Sequence, residues 1–591
     1  MTTGADAAPS SRRALWLTLA VSLCSSLAFV WRSGFEVDGE RYFSLFDDGM
    51  ISLTYARTLA EGHGLVWFPG ADQVEGYTNL AWTLWMALLH LVPVPTAKVS
   101  LLVMLSGVGV LLADLVVVRA IARRVLSGLP HAAALAVWLV ALSYPLVYWT
   151  LRGMEVGLVA LLISCAVLLA LRLRDRFSAG DVALLALVMV LGALTRTDAI
   201  APLGLVALFA AWQPARGRVV VAATGIGGLA AAFAGHTLFR IAYYDEALPN
   251  TYYLKLGGVE LGERLTRGVA ALGYSTALQL WAGLAFAVLL LVLHRRPDPA
   301  VWLLAAVFAV QAAYSMYVGG DAWEWMGYSN RYLATGLPVL MTLAAGGIAA
   351  VVAAPRPLQH RAAAALAVVA SVVVALQLRQ TWLPLRLLQA EPRSAGLAVV
   401  ATVLVPLVVV AATRIRWSPG PAAALLAAAV VLAANGQAFG EWVSTGGAAV
   451  PDDARMARYA LALRDSTEPD AVIAVVWAGA LPYFSERPAV DLLGKSDPVI
   501  AHLPPRDVPL RPGHTKWDYD YSILALQPDV VAQVYSPGGG VLEEIAAGGY
   551  RRVAHRVFVR EGSTRADAAA LERALRGDWH ATVVADAPAR R

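Results

Sequence analysis

Residues Phe46–Asn79 read FDDGMISLTYARTLAEGHGLVWFPGADQVEGYTN and form the densest polar, chemistry-capable run in the chain. Two adjacent carboxylates, Asp47 and Asp48, open it. A short amphipathic helix follows, then a run of Gly, His, Trp, Pro and Glu that ends in Tyr77, Thr78 and Asn79. An apolar segment long enough to cross a membrane, Ala14–Trp31, comes before it. A second apolar segment, Ala81–Val92, comes after it and is too short to cross. Whether Ala81–Val92 crosses fixes the side on which every later junction lies. The reading of this stretch therefore decides the fold.

Of the 591 residues, 58% are hydrophobic and 15% charged, against about a quarter charged in soluble domains. That balance specifies a polytopic membrane protein. Cys24 and Cys165 both lie in apolar segments and read as small buried residues instead of a disulfide. No small-residue cleavage site follows the first apolar segment, so it is expected to be a retained span.

About 13 segments are candidate spans at roughly 20 apolar residues each, fewer where polar residues cap a short helix. They are Ala14–Trp31, Ala97–Val118, His131–Thr150, Gly157–Leu173, Asp181–Leu194, Ala199–Trp212, Val219–Phe239, Ala277–His294, Ala300–Val318, Tyr332–Ala353, Ala362–Leu378, Ala395–Ala412 and Pro421–Asn435. With Arg12 and Arg13 placed inside, every second junction is basic: Arg119, Arg123 and Arg124; Arg172, Arg174 and Arg176; Arg216 and Arg218; Arg295 and Arg296; Arg356 and Arg361; Arg414 and Arg416. This is the positive-inside pattern. Counting Ala81–Val92 as a span inverts it at once, so that helix is assigned to the interface.

The opposite junctions are polar, aromatic and Gly-rich: YWTLRGMEVGL, LTRTDA, RIAYYDEALPNTYYLKLGG and YVGGDAWEWMGYSNRY. The expected architecture is a polytopic α-helical membrane protein with about 11–13 transmembrane helices in residues 1–435. A first external loop, 32–96, carries interfacial helices. Residues 436–591 form an extracytoplasmic α/β domain with strands over Ala471–Trp477, Ala489–Leu493, Val530–Val534 and Val553–Val559. Within it, DLLGKSDPVIAHLPPRDVPLRPGHTKWDYDY is too rich in Pro, Gly and aromatics for a regular element. It reads as a long ordered loop turned toward the membrane face.

Consecutive residues on a helix diverge, so Asp47 and Asp48 cannot both face one pocket. One is expected to face substrate and the other to cap the helix. Glu61 pairs with Arg57 at i,i+4. His63, between two glycines, contacts a phosphate or a sugar, or lines the turn. Glu75 is a third carboxylate of the loop, with Tyr77 and Asn79 able to hydrogen-bond sugar hydroxyls. Glu155, at a helix start, either orients substrate or complements the helix dipole. Arg196 and Asp198 at membrane depth are functional by default, or form a local pair that holds a helix break. Asn250, Tyr252 and Lys255 lie in an aromatic loop. Lys255 and Arg331, each at an outer boundary, suit a lipid-linked phosphate, or else snorkel without a ligand. Asp321 precedes Arg331. His514, Lys516, Trp517 and Asp518 combine a flat aromatic with polar groups, as a glycan-binding face does; they suit a packed closing loop equally. There is no phosphate-binding GxxxxGK[ST], no zinc-spaced His/Cys cluster and no GxSxG. Asp114 is the only acidic residue well inside a candidate span, which argues against a transporter.

The order DDGMISLTYARTLAEGHGLVWFPG…VEGYTN, GMEVGL, LTRTDA, LPNTYYLKLGG and GGDAWEWMGYSNRYL resembles the polyprenyl-phosphate-sugar-dependent membrane glycosyltransferases with the C-type fold. VDLLGKSDPVIAH…PGHTKWD is similar to the terminal arabinofuranosyltransferases of mycobacterial-type cell-wall arabinan. The resemblance implies transfer of a sugar, D-arabinofuranose in that subgroup, from a polyprenyl-phosphate donor to an extracytoplasmic glycan acceptor at the plasma membrane. It implies a catalytic-loop position for Asp47 and Asp48 and matches for Glu155, Lys255 and Arg331. Arg196, read from its charge at membrane depth, is expected as a further donor-phosphate contact. No metal or other cofactor is required, although the carboxylates could hold a divalent cation. No nucleic-acid partner is expected. Two departures stand out. TRTD replaces the relatives' Arg-Pro before the acidic residue, and the segment between GGD and Arg331 is longer. Another polyprenyl-phospho-sugar such as mannose, a protein or lipid acceptor, a lipid-linked sugar transporter and a non-catalytic envelope scaffold are the competing readings.

Overall fold

The computed structural model describes residues 9–212, 217–294, 297–324, 330–378, 395–414, 418–445 and 450–576. Among these, seven helices are long and apolar enough to cross a membrane: Leu15–Ser33, Thr96–Val125, Val156–Asp175, Arg218–Tyr244, Leu261–Leu293, Pro299–Tyr317 and Arg356–Leu378. Ala132–Ala141 and Tyr144–Leu151, bent by 48°, make an eighth if they are one span. Asn435 bridges that bend, accepting from the Tyr144 N–H at 2.9 Å and donating to the Leu142 carbonyl at 2.8 Å. The chain is a multi-pass helical membrane protein.

Five other expected spans are shorter apolar helices: Ala179–Thr195, Thr197–Trp212, Leu337–Ala353, Val399–Ala411 and Pro419–Asn435. At 1.5 Å per residue, a helix of 17 residues covers about 25 Å of a core about 30 Å thick. The expected 11–13 crossings thus divide into seven or eight of full length and a set of short helices. Arg196 makes one of the interruptions, with extended backbone (φ −153°, ψ 129°) between two helices. Helices also touch closely. A Cβ on Gly347 would lie 1.8 Å from the Phe286 carbonyl oxygen, so only glycine allows that crossing.

The ends of the helices separate two kinds of chemistry. Val156–Asp175 starts beside Glu155 and carries Arg172 and Arg174 in its last turn, about 30 Å away. At that basic end Arg174 pairs with Asp298 at 2.6 Å and Arg172 with Asp181 at 2.8 Å.

Strands β1 (Phe35–Val37) and β2 (Glu40–Tyr42) form an antiparallel hairpin after the first span. The C-terminal region is built on β3 (Ile473–Val475), β4 (Ala489–Asp491), β5 (Val530–Val531), β6 (Tyr550–Ala554) and β7 (Val557–Arg560), in the order β4-β3-β5-β7-β6. β3 is parallel to β4 and β5, and the other pairings are antiparallel. The segment expected as one strand over 553–559 is instead a hairpin. His555 and Arg556 form its turn, with Arg556 at φ 57°. Pro419–Thr445 runs ten residues past the expected boundary at 435. The segments leaving the carboxyl ends of parallel β3 and β4 point at the membrane helices, as the ligand-facing loops of parallel sheets do.

Leu80–His90, expected at the interface, has 11 residues. Trp82, Thr83, Met86 and Ala87 are buried, while Leu84, Trp85 and Leu88 are exposed. Trp82 Nε1 donates to the Gly153 carbonyl at 2.9 Å, which ties this helix to the turn before Glu155.

Candidate active site

Asp47 and Asp48 begin the Asp47–Ala60 helix, where successive side chains point about 100° apart. They take separate partners. Asp47 Oδ1 accepts from the Ala480 N–H at 2.8 Å, just beyond β3. Gly479 is needed there, because a Cβ would lie 2.2 Å from the Asp47 carbonyl oxygen. Burial pushes the Asp47 carboxyl up to about 6. Asp48 faces a cavity. Its Oδ2 accepts from Arg331 Nη1 at 2.7 Å and its Oδ1 from Lys495 Nζ at 2.6 Å. Burial alone would raise Asp48, but Lys495, Arg331 and Lys255 hold it well below the usual carboxylate range.

Arg331 is fixed by Asp321, which accepts from its Nε at 2.7 Å and from its Nη2 at 2.8 Å. The Trp149 ring lies 5.3 Å from the guanidinium carbon. This fork leaves Nη1 for Asp48. Lys255 lines the same cavity and makes no ion pair among the described residues. Burial, aided by Arg331, lowers it to about 8.

The opposite wall is a hydrogen-bonded chain. Ser52 Oγ donates to Asn79 Oδ1 at 2.9 Å, and Asn79 Nδ2 donates to Glu155 Oε2 at 2.8 Å. Glu155 Oε1 receives Arg196 Nη1 at 2.5 Å, and Arg196 Nε donates to Asp198 at 2.8 Å. Arg196 also lies over the Tyr332 ring at 5.4 Å. Arg196 thus pairs locally with Asp198 and also lines the cavity. The cavity is partly open and spans about 480 Å³ with the solvent at its mouth included; it is lined by Asp48, Glu155, Lys255, Arg331, Tyr332 and Lys495, with the Gly76–Asn79 segment along one side. It brings two carboxylates, Asp48 and Glu155, together with several cations, the elements needed for taking a proton beside a bound anion. Among the described residues no three His, Cys, Asp or Glu gather as a metal site.

Residues 447–580 match a family described as Domain of unknown function (DUF8728). No curated protein matches the chain. Among solved structures, ArnT from Cupriavidus metallidurans in the apo state is similar with a TM-score of 0.48 and 17% identity, over 81% of this chain and 86% of that one. The same protein bound to undecaprenyl phosphate gives 0.47 and 16%, over 82% and 86%. The Archaeoglobus fulgidus oligosaccharyltransferase in the apo form gives 0.42 and 12%, over 81% of this chain and 64% of that one.

Of the candidates named from sequence, Asp48, Tyr77, Asn79, Glu155, Arg196, Lys255 and Arg331 line the cavity. Asp321 stands behind Arg331. The others are placed elsewhere. Glu75 is buried against Arg240, with bonds of 2.6 and 3.1 Å, and is not free for a sugar. His63 is exposed on the turn after the helix, its N–H bonded to the Thr58 carbonyl. Asn250 binds backbone: Nδ2 reaches the carbonyls of Gly494, Lys495 and Asp497 at 2.9, 3.0 and 3.3 Å. Tyr252 is exposed and packs edge-on to Tyr253.

The GHTKWD group serves closure, not a glycan face. Lys516 Nζ donates to the carbonyls of Tyr253 and Ala501 at 2.9 and 2.8 Å, which ties the sheet region to the loop carrying Lys255. Trp517 is buried between Arg506 and Tyr535. His514 is buried between Trp323 and Tyr535. Asp518 Oδ1 accepts from the Tyr521 N–H at 3.2 Å.

The residue that the sequence reading missed is Lys495. Its signal was a lysine after glycine in a Pro- and Gly-rich loop already expected to face the membrane. The loop is held from two sides. Asp491 accepts from the N–H groups of Leu493, Gly494 and Ser496 at 2.8–3.1 Å, and Asn250 holds its carbonyls. Gly494 sits at φ +79°.

Proposed function

We propose that this chain is an inverting membrane glycosyltransferase. It moves a sugar, D-arabinofuranose, from a polyprenyl-phosphate donor to an extracytoplasmic glycan acceptor of cell-wall arabinan type. The observation that carries this is Asp48 facing one cavity with Arg331, Lys255 and Lys495 around it. The acceptor hydroxyl gives its proton to Asp48, and its oxygen forms the new bond to the anomeric carbon. The bond from that carbon to the phosphate oxygen breaks, and the polyprenyl phosphate leaves with the electron pair. The cations meet the charge that grows on the leaving phosphate. Asp47 holds the C-terminal region. The choice of donor and sugar rests on the sequence resemblance. Placement of the cavity outside the cytoplasm rests on the basic residues gathered at the far ends of the same helices.

The test is transfer from polyprenyl-phospho-arabinofuranose to a synthetic arabinan by the purified chain. Product with the native protein and loss of it in Asp48→Asn supports the assignment. Full activity in Asp48→Asn sinks Asp48 as the base. Turnover only with another polyprenyl-phospho-sugar replaces arabinose, and no turnover with any such donor rejects the transferase.

A further inference from the structure

Asp48 presents each carboxylate oxygen to a cation, Oδ1 to Lys495 and Oδ2 to Arg331. A carboxylate held this way is a weak base, because the cations stabilise its ionised form. Proton uptake requires that one of them be shared or withdrawn. The two are not equivalent. Arg331 is fastened by Asp321 through Nε, Nη2 and its own backbone N–H. Among the described residues, Lys495 Nζ donates to Asp48 alone, at the end of a four-carbon stem with three N–H groups to give. The backbone beneath it is rigid, held by Asp491 and Asn250. Asn250 also starts the short Asn250–Leu256 helix whose last turn carries Lys255. One helix of seven residues therefore sets both ammonium groups on the same cavity.

We propose that Lys495, brought by the C-terminal region, is a donor-phosphate contact, and that the phosphate shares its ammonium with Asp48, so that Asp48 acts as a base only once the donor is seated. Donor then binds before acceptor. This rests on the reading of Asp48 as the base and of a phosphate-linked donor. The groups facing Asp48 are Lys495, Arg331, Lys255, Asp47 and His514, with Glu155 and Arg196 across the cavity.

The experiment measures binding of decaprenyl phosphate in detergent to the full-length native chain, Lys495→Met and Lys495→Arg, each checked by thermal melting. Lys495→Met should bind about tenfold more weakly, the worth of one charge-assisted hydrogen bond, and Lys495→Arg close to native. In transfer, Lys495→Met should raise the donor KM by a similar factor. It should also move the acid limb of kcat/KM to higher pH, because Asp48 loses a counter-ion; the binding of decaprenyl phosphate is the readout that a lysine serving Asp48 alone would leave unchanged. If Lys495→Met does not fold, Lys495→Gln takes its place. A folded Met or Gln variant that binds decaprenyl phosphate as tightly as native overturns the role of Lys495, even if native transfer is intact. A native chain that neither binds decaprenyl phosphate nor transfers sugar overturns the function, and this role with it.

Discussion

Lys495 Nζ donates to Asp48 Oδ1 at 2.6 Å across 447 positions of sequence. The first helix after the first span and the loop after β4 therefore meet in one ion pair. Asp47, the neighbour of Asp48, instead meets the backbone just beyond β3. Adjacent carboxylates thus have different tasks, and substitution separates them. Asp48→Asn should lower transfer by about 10²–10⁴-fold, the usual worth of a general base. Asp47→Asn should retain transfer and stay near native stability at neutral pH, because the amide oxygen still accepts from the Ala480 N–H. Radiolabelled-sugar transfer alongside thermal melting reads both. Equal loss of transfer in the two variants would remove the distinction.

Arg331 serves Asp321 and Asp48 at once through a planar fork. A lysine cannot reproduce that geometry. Arg331→Lys should cost about 1–3 kcal/mol of stability by leaving Asp321 poorly paired and should raise the donor KM. Detergent-phase unfolding and initial rates check this. A variant native in both would show that the fork is dispensable.

Burial lowers Lys255 to about 8, so its positive charge is lost within an accessible range. The kcat/KM for donor should fall as pH rises through about 8 and hold steady below it. Lys255→Arg should flatten this alkaline limb, because arginine stays charged. An unchanged limb in that variant assigns it to another group.

Asp47 binds its proton more tightly in the folded chain, with its ordinary value of 3.8 raised to about 6. The folded state therefore holds more protons than the unfolded one between those values. The contribution of Asp47 is full below 3.8 and is lost as pH rises through about 6. Relative to Asp47→Asn, the native chain should melt progressively lower from pH 4 to pH 6 and run parallel above that. Parallel curves throughout would contradict the buried setting of Asp47.

Gly479→Ala would drive a Cβ against the Asp47 carbonyl oxygen. The contact atom is backbone and cannot rotate away, so a cost of about 1–3 kcal/mol is expected. Limited proteolysis should cut the chain near 446–480 faster than native, and native resistance would show that the contact relaxes freely.

The membrane character was legible because composition acts over whole segments. Lys255, Arg331, Glu155, Arg196, Tyr77 and Asn79 were legible as candidates because polar groups gather at junctions of one kind. That Asp47 and Asp48 diverge followed from helix geometry, but which one faces the cavity depends on Gly479 and Lys495, far along the chain. Glu75 was misread because its partner Arg240 lies 165 positions away on a span. The two readings of Trp517 stayed open because a flat aromatic among charges looks alike whether it meets a sugar or Arg506 and Tyr535. The helix expected over Tyr332–Ala353 starts only at Leu337, because Arg331–Ala334 forms a separate short helix at the cavity.

The loops leaving the carboxyl ends of β3 and β4 have a consequence during biosynthesis. A chain is made from its N-terminus, so the spans and Asp48 precede Lys495. Strand β5, which flanks β3 in the sheet, and β7 on the far side of β5 come later still. A nascent or truncated chain inserted in the membrane would hold Asp48 with one counter-ion and no roof. On the proposed function, only chains whose synthesis has passed β7 would carry a complete site.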